Sequence, residues 1–235
     1  MKISIMPSKV VGIVGGMGPE AGVDLAYKII RLSPARRDQE HIHVILDNFS
    51  QIPDRTAYIL GRGENPLPYL IQSVERLKNA GAEIFVMSCN TAHYFYDDIV
   101  EKTGVHMLHI ARQSFKAIEN MNISGPIGVL GTVGTLKGKI YEGFGYEVVY
   151  PDDKHLAMLM DAIYGIKAGE YEGPAKLIDR VIDHLVGKGA VALIMACTEI
   201  PLVKKRLQSP VPIVDATLEL ARAVVKEVYG IDAGR

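Results

Sequence analysis

The sequence predicts an α/β protein built as two pseudo-symmetric lobes, each a parallel sheet flanked by helices, with the functional site in the cleft between them. Three observations carry this expectation. Short β-branched runs alternate with longer stretches of helical periodicity, which is the rhythm of a parallel sheet covered by crossover helices. The second half of the chain echoes the first: GIVGGMG at 12–18 is answered by GVLGTVG at 128–134, and AEIFVMSCNTAH at 82–93 by AVALIMACTEIP at 190–201. Both cysteines of the chain, Cys89 and Cys197, stand at the equivalent place in each half, just past an apolar run.

In chain order, strands are expected at 10–14, 43–46 and 83–87 in the first half. In the second half they are expected at 127–130, 147–150, 191–195 and 212–214. The first strand feeds GGMGP, where Pro19 at a first helical position makes a tight strand-to-helix turn. Helical spacing follows at 66–80, through Leu70, Val74 and Leu77, and at 174–187, through Leu177, Val181, Ile182 and Leu185. After each cysteine unit a short strand leads into a helix, VHMLHIARQSFKAI at 105–118 and VPIVDATLELARAV at 211–224. If each of these strands and helices crosses to the opposite lobe, the first lobe takes residues 1–103 plus 210–235 and the second takes 104–209.

Composition narrows the function classes. Hydrophobic residues make up 48% and charged residues 23%, the mix of a packed globular protein. Lys plus Arg total 26 against 27 Asp plus Glu, so there is no basic field for a nucleic-acid backbone and recognition of charge must be local. The apolar run before Cys197 is far too short to span a bilayer, and residues 1–10 lack the features of a signal peptide. These readings give a cytoplasmic protein with no membrane and no nucleic-acid partner. In that compartment two distant cysteines read as thiols rather than a disulfide.

Ligands of open α/β sheets bind beyond the carboxyl ends of the strands, where both cysteines lie. Facing lobes put the two thiols on opposite walls of one cleft. Asn90, Thr91 and Thr198 follow them at expected helix N-termini, where free N–H groups favour anions and lower a thiol's pKa. Inverting a carbon acid needs a base on one face and an acid on the other, and two thiols, one ionised and one protonated, supply both. Donors that neutralise a carboxylate, among them Asn90, Thr91, Thr132, Thr135 and Thr198, then stabilise the carbanion.

Six segments together resemble the cofactor-independent aspartate/glutamate racemase family, closest to its aspartate racemases. They are GGMGP (15–19), IPDRT (52–56), CNTAH (89–93), GTVGT (131–135), YGIKAG (164–169) and CTEI (197–200). The resemblance implies a homodimeric isomerase of amino-acid metabolism that interconverts L- and D-aspartate, and by extension glutamate, without pyridoxal phosphate or any other cofactor. It makes Cys89 and Cys197 the acid and base. Arg55 and Lys167 hold the substrate's carboxylate, and Met17, Gly18, Asn90, Thr91, Thr132, Thr198 and Glu199 line the substrate site. One departure is Ala196, where glycine is expected before the second cysteine.

Other readings of the same residues stay open. Cys197 alone on an apolar strand reads as a small core residue. Arg55 reads as a solvated loop charge, and Lys167 as a complement to a helix dipole. Gly16, Gly18 and Ala21 fit a dinucleotide fingerprint, which the tight turn also explains. His41 with His43, or Cys89 with His93, can be drawn as metal pairs, although no further ligand completes a site and no metal is expected. At the level of function the rivals are three: an isomerase of another small carboxylate, such as a hydantoin or maleate; a non-catalytic binding protein for an acidic metabolite; and a cysteine hydrolase assisted by His93 or Glu199.

Overall fold

The computed structural model describes residues 7–231. In the first half, β1 (Val11–Val14), β2 (Val44–Asp47), β3 (Ile84–Met87) and β4 (His106–Met107) pair in parallel in the order β2-β1-β3-β4. In the second half, β5 (Ile127–Gly131), β6 (Val148–Val149), β7 (Ala192–Ala196) and β8 (Ile213–Asp215) repeat that order as β6-β5-β7-β8. The connecting helices are α1 (Pro19–Leu32), α2 (Arg55–Ile59), α3 (Leu67–Asn79), α4 (Tyr96–Thr103) and α5 (Ile110–Asn120) in the first half. Then come α6 (Val133–Lys137), α7 (Asp153–Lys167), α8 (Glu172–Gly187) and α9 (Ala216–Tyr229). The expected α/β class and its duplication are what the structure has, and each expected strand lies where the β-branched runs put it.

Because strand side chains alternate between faces, each central strand serves two cores. Val11, Ile13, Ile84 and Val86 of the first sheet, with Ile127, Val129, Ala192 and Ile194 of the second, join α1, α5 and α9 in one shared core. The opposite faces close separate outer cores. Val14, Phe85 and Met87 pack with Leu70, Val74 and Leu77 of α3, whereas Leu130, Leu193 and Met195 pack with residues of α7 and α8. Burial on both faces explains why these strands read as nearly continuous apolar runs.

The expected crossing between lobes takes a mixed form. The strands stay home, β4 on β3 and β8 on β7. The helices reach across: α5 packs against β7, β8 and α9, and α9 packs against α1. Strand pairing is a backbone matter settled by the adjacent edge, while the apolar faces of α5 and α9 fit the shared core equally from either half. Of the first lobe's expected extent, residues 1–6 and 232–235 lie outside the described residues.

Two five-residue helices border the cleft, and helices that short need help to form. Asp54 caps α2 by accepting from the Ala57 N–H at 2.7 Å, and Thr132 caps α6 by accepting from the Thr135 N–H at 3.1 Å. Those caps place Arg55 and Thr132 at the first turns of helices that touch each other across the lobes. Among the described residues, no helix is long and apolar enough to cross a membrane.

Candidate active site

The carboxyl ends of β1, β3, β5 and β7 converge on one cleft. Met17 follows β1, Cys89 follows β3, Thr132 follows β5 and Cys197 follows β7, and all four line it. Arg55, Asn90, Thr91, Lys167, Thr198 and Glu199 line it as well. Gly18 lies instead on an adjoining recess of about 320 Å³, which shares Met17, Arg55, Lys167 and Glu199 with the cleft. The two cysteine loops are tied directly, because the Thr198 hydroxyl donates to the Ser88 carbonyl at 3.0 Å. Each member of that bond is the chain neighbour of a cysteine.

The turn after β1 needs its glycine. Gly16 has φ +88°, and a β-carbon there would sit 2.3 Å from the Phe49 carbonyl carbon. Pro19 then opens α1, with Gly18 as its N-cap and no side-chain capping bond. The free Gly18 N–H donates to Glu199 Oε1 at 3.0 Å. The glycine motif therefore serves a tight turn that delivers one N–H to the Glu199 carboxylate.

Glu199 organises the Cys197 side. Its Oε2 accepts from the Cys197 thiol at 2.9 Å, and its Oε1 lies 3.1 Å from Lys167 Nζ. Burial first, then the negative charge of Glu199 and the hydrogen bond to it, push the Cys197 thiol well above its ordinary value. Burial alone pulls Lys167 down, but the negative charge of Glu199 beside it, with the hydrogen bond to it, lifts it above its ordinary value. Cys197 thus rests as a proton-bearing thiol beside a carboxylate acceptor, and Lys167 stays an ammonium.

Past the end of β3, Cys89 is buried as well. His93 does not serve as its base. Its Nδ1 donates to the Cys89 carbonyl at 2.9 Å and its Nε2 accepts from the Ile110 N–H at 3.2 Å, so both ring nitrogens are spent on backbone. Burial, with His109 adding to it, lowers the pKa of His93 to about 3 and keeps the ring neutral. His93 therefore pins the Cys89 loop to the start of α5. Neither His93 nor His41 and His43, which precede β2, belongs to any three-ligand grouping among the described residues.

The donors divide into spent and free. Asn90 Oδ1 accepts from the Tyr141 hydroxyl at 2.5 Å, while its Nδ2 is buried and has no protein partner. An orphaned buried amide costs about 1–3 kcal/mol, a cost that a bound carboxylate would remove. Thr91 lies 2.9 Å from the Thr132 hydroxyl and 3.0 Å from that of Thr135. Thr135 itself is fully buried and off the cleft lining, so it supports the other two rather than facing a ligand. Arg55 is no solvated loop charge: it donates to the Ile52 and Pro53 carbonyls at 3.2 and 3.0 Å, with its Nε buried and unpartnered.

One expectation needs correcting. The segments after the cysteines are 3-10 helices, Thr91–Phe95 and Ile200–Arg206, rather than α-helix starts, so the macrodipole contributes little there. Sequence reasoning also passed over Tyr141, which orients Asn90, and over Met160 and Ile163 of α7, which line the cleft. Only Tyr164, their neighbour on the lining, had a signal, inside YGIKAG.

A family model described as Asp/Glu/Hydantoin racemase matches residues 14–224. The broad specificity amino-acid racemase of Bacillus subtilis is 27% identical over 229 residues, covering 92% of this chain and 96% of that protein. Glutamate racemase of Pseudomonas aeruginosa is 25% identical over 214 residues, covering 88% of this chain and 77% of that one. Among solved structures, Picrophilus torridus aspartate racemase superposes with a TM-score of 0.78 at 27% identity, covering 94% of each chain.

Proposed function

Because the chain belongs to the Asp/Glu/hydantoin racemase family, we propose that it is an amino-acid racemase that interconverts L- and D-aspartate, and glutamate by extension, by passing protons at Cys89 and Cys197. The observation that carries this reading is the pair of buried thiols, each just past the equivalent strand of its sheet and both lining one cleft. A thiolate on one wall removes the α-proton, and the thiol on the other wall delivers a proton to the opposite face. The bond broken is Cα–H, the bond formed is Cα–H on the other side, and the two cysteines end with their protonation states exchanged.

The carbanion needs positive partners close to the α-carboxylate. Asn90 Nδ2, the hydroxyls of Thr91 and Thr132, and Lys167 supply them on this reading, and Arg55 takes the side-chain carboxylate. Glu199 is the proton acceptor beside Cys197. For the enantiomer whose α-hydrogen faces Cys197, that thiol must first pass its proton to Glu199, for which the 2.9 Å bond to Oε2 provides the route, while Cys89 holds the proton it delivers. Solvent exchange then moves the proton of Glu199 back to Cys89. The reaction takes no pyridoxal phosphate in this scheme, since the two thiols supply the proton chemistry themselves.

A broader substrate range is a second reading, favoured by the recess of about 320 Å³ beside Arg55 and Lys167 and by the likeness to the Bacillus subtilis protein. We test both readings by incubating the purified protein with single enantiomers of aspartate, glutamate and a panel of neutral and basic amino acids, without added cofactor. Chiral chromatography should find aspartate racemised fastest. Turnover of larger amino acids at the same rate would move the assignment to the broad class, and no inversion of any amino acid would defeat the proposal.

The homodimer is part of the same proposal. It is supported by an exposed apolar stripe on α1, where Val23, Tyr27 and Ile30 fall on one face at helical spacing. Light scattering should find a dimer that Tyr27→Glu converts to monomer. A monomeric wild type would refute this part.

A further inference from the structure

We infer that Asp152, His155 and His184 form a site for a divalent transition metal of the zinc class, clamping the start of α7 to the end of α8. This inference stands apart from the racemase reading, since none of the three residues lines the cleft or the recess.

The arrangement begins with a helix cap. Asp152 caps α7 by accepting from the His155 N–H at 2.9 Å, which aims its carboxylate at the first turn of the helix. The two oxygens then face two different imidazoles: Oδ1 lies 2.7 Å from His155 Nδ1, and Oδ2 lies 3.6 Å from His184 Nε2. One ligand atom from each residue falls within 4.8 Å of the others. The imidazoles stack at 3.8 Å between centroids, tilted by only 10°. Two imidazoles and a carboxylate are a ligand set for Zn²⁺, with water in the fourth position.

The chemistry of each group suits a cation. The Asp152 carboxylate accepts from both the backbone N–H and the ring Nδ1–H of His155, at 2.9 and 2.7 Å, which fixes it over the first turn of α7. His184 Nε2 accepts from the Asp152 N–H at 3.3 Å, so its lone pair already faces the cluster. His184 also sits in the last turn of α8, where the helix dipole favours positive charge. Asp153 adds a negative charge in the first turn of α7, and Lys188, held on the Tyr150 carbonyl at 2.9 Å, opposes a cation from the other side. Access is open from the carboxylate side, where the Asp152 side chain is 52% exposed against 17% for His184.

Binding requires two rearrangements: His155 Nδ1 must give up the proton it donates to Asp152 Oδ1 at 2.7 Å, and the stacked rings must splay. Stacked rings point their in-plane lone pairs along parallel lines, so the pair must splay until Nδ1 of His155 and Nε2 of His184 converge at about 2.0–2.1 Å from the ion. His184 Nε2 gives up only a 3.3 Å bond from the Asp152 N–H in doing so.

The test is a titration of the full-length protein with Co²⁺, a spectroscopic stand-in for Zn²⁺. One equivalent should bind, with the visible absorption of a low-coordinate nitrogen and oxygen site, and Zn²⁺ should displace it and raise the melting temperature. His184→Ala and Asp152→Asn should each weaken binding by about tenfold or more, the scale on which even outer partners of a metal site act. Asparagine keeps the helix cap while removing the charged ligand, so the second variant remains informative if the first folds poorly. Absence of saturable binding, or equal binding by both variants, would overturn the site. So would a thiolate-to-cobalt charge-transfer band abolished by Cys89→Ser and Cys197→Ser, which would put the ion in the cleft.

Discussion

Glu199 meets three groups from separate parts of the chain: the Cys197 thiol, the Lys167 ammonium and the Gly18 N–H. In Glu199→Gln the amide cannot take the thiol's proton, and we expect kcat/KM to fall by ~100-fold or more, the scale of a general-base contribution. The fall must be equal in both directions, since enantiomers have the same free energy. Deuterium uptake from solvent before inversion should nevertheless fall unequally, because only one enantiomer presents its α-hydrogen to Cys197. At His93, whose pKa is depressed from 6.5 to about 3, the unfolded chain binds a proton that the folded chain refuses. The stability this group confers is present above pH 6.5 and is lost as pH falls toward 3, at about 1.4 kcal/mol per pH unit. Urea titrations across that window should find a flatter acid limb in His93→Asn. The residues that meet at the cleft were legible where motif and duplication coincided, as at Cys89 and Cys197, and where a motif alone marked them, as at Arg55 and Lys167. Tyr141 was not legible, because a hydroxyl that reaches Asn90 from 51 positions away leaves no local pattern.

At the scale of elements, the short helices α2 and α6 meet where a β-carbon has no room. One built on Gly134 would lie 2.5 Å from Thr56 Oγ1, 2.7 Å from Thr91 Cγ2 and 3.0 Å from the Thr56 backbone. Gly134→Ala should therefore push α6 away from α2 and cost about 1–3 kcal/mol, as overpacking does, with a matching loss of turnover because Arg55 and Thr132 ride on those helices. Denaturant midpoints and rates on the same samples check it, and an unchanged midpoint would mean that the two helices separate freely. The strands were the most legible elements, since burial on both faces compels apolar runs such as IFVM in β3 and ALIMA in β7. The two-residue strands β4 and β6 were set by neighbouring edges more than by their own sequence. The segments after the cysteines read as helix starts but close as 3-10 turns, because Thr198 and His93 anchor the loops to backbone carbonyls.

For the whole molecule, the shared core makes the two halves one cooperative unit. Leu220 on α9 is fully buried among residues of both sheets, and Leu220→Ala should cost about 2–5 kcal/mol while leaving a single transition. The chain has no tryptophan and 11 tyrosines, so tyrosine near-ultraviolet and peptide far-ultraviolet dichroism are the probes, and separated transitions would mean that the lobes fold independently. That the lobes are duplicates was legible, but which helix covers which sheet was not, because duplicated halves offer equivalent apolar faces to either partner. The same duplication sets one thiol just past the equivalent strand of each sheet, both on the lining of one cleft, and the central claim rests on it. Its most direct test is solvent deuterium incorporation into L- and D-aspartate, each followed by NMR, in wild type, Cys89→Ser and Cys197→Ser. The account predicts exchange with inversion from both enantiomers in wild type, and in each variant loss of inversion with any remaining exchange confined to one enantiomer, opposite in the two variants. Inversion that survives either substitution would contradict it.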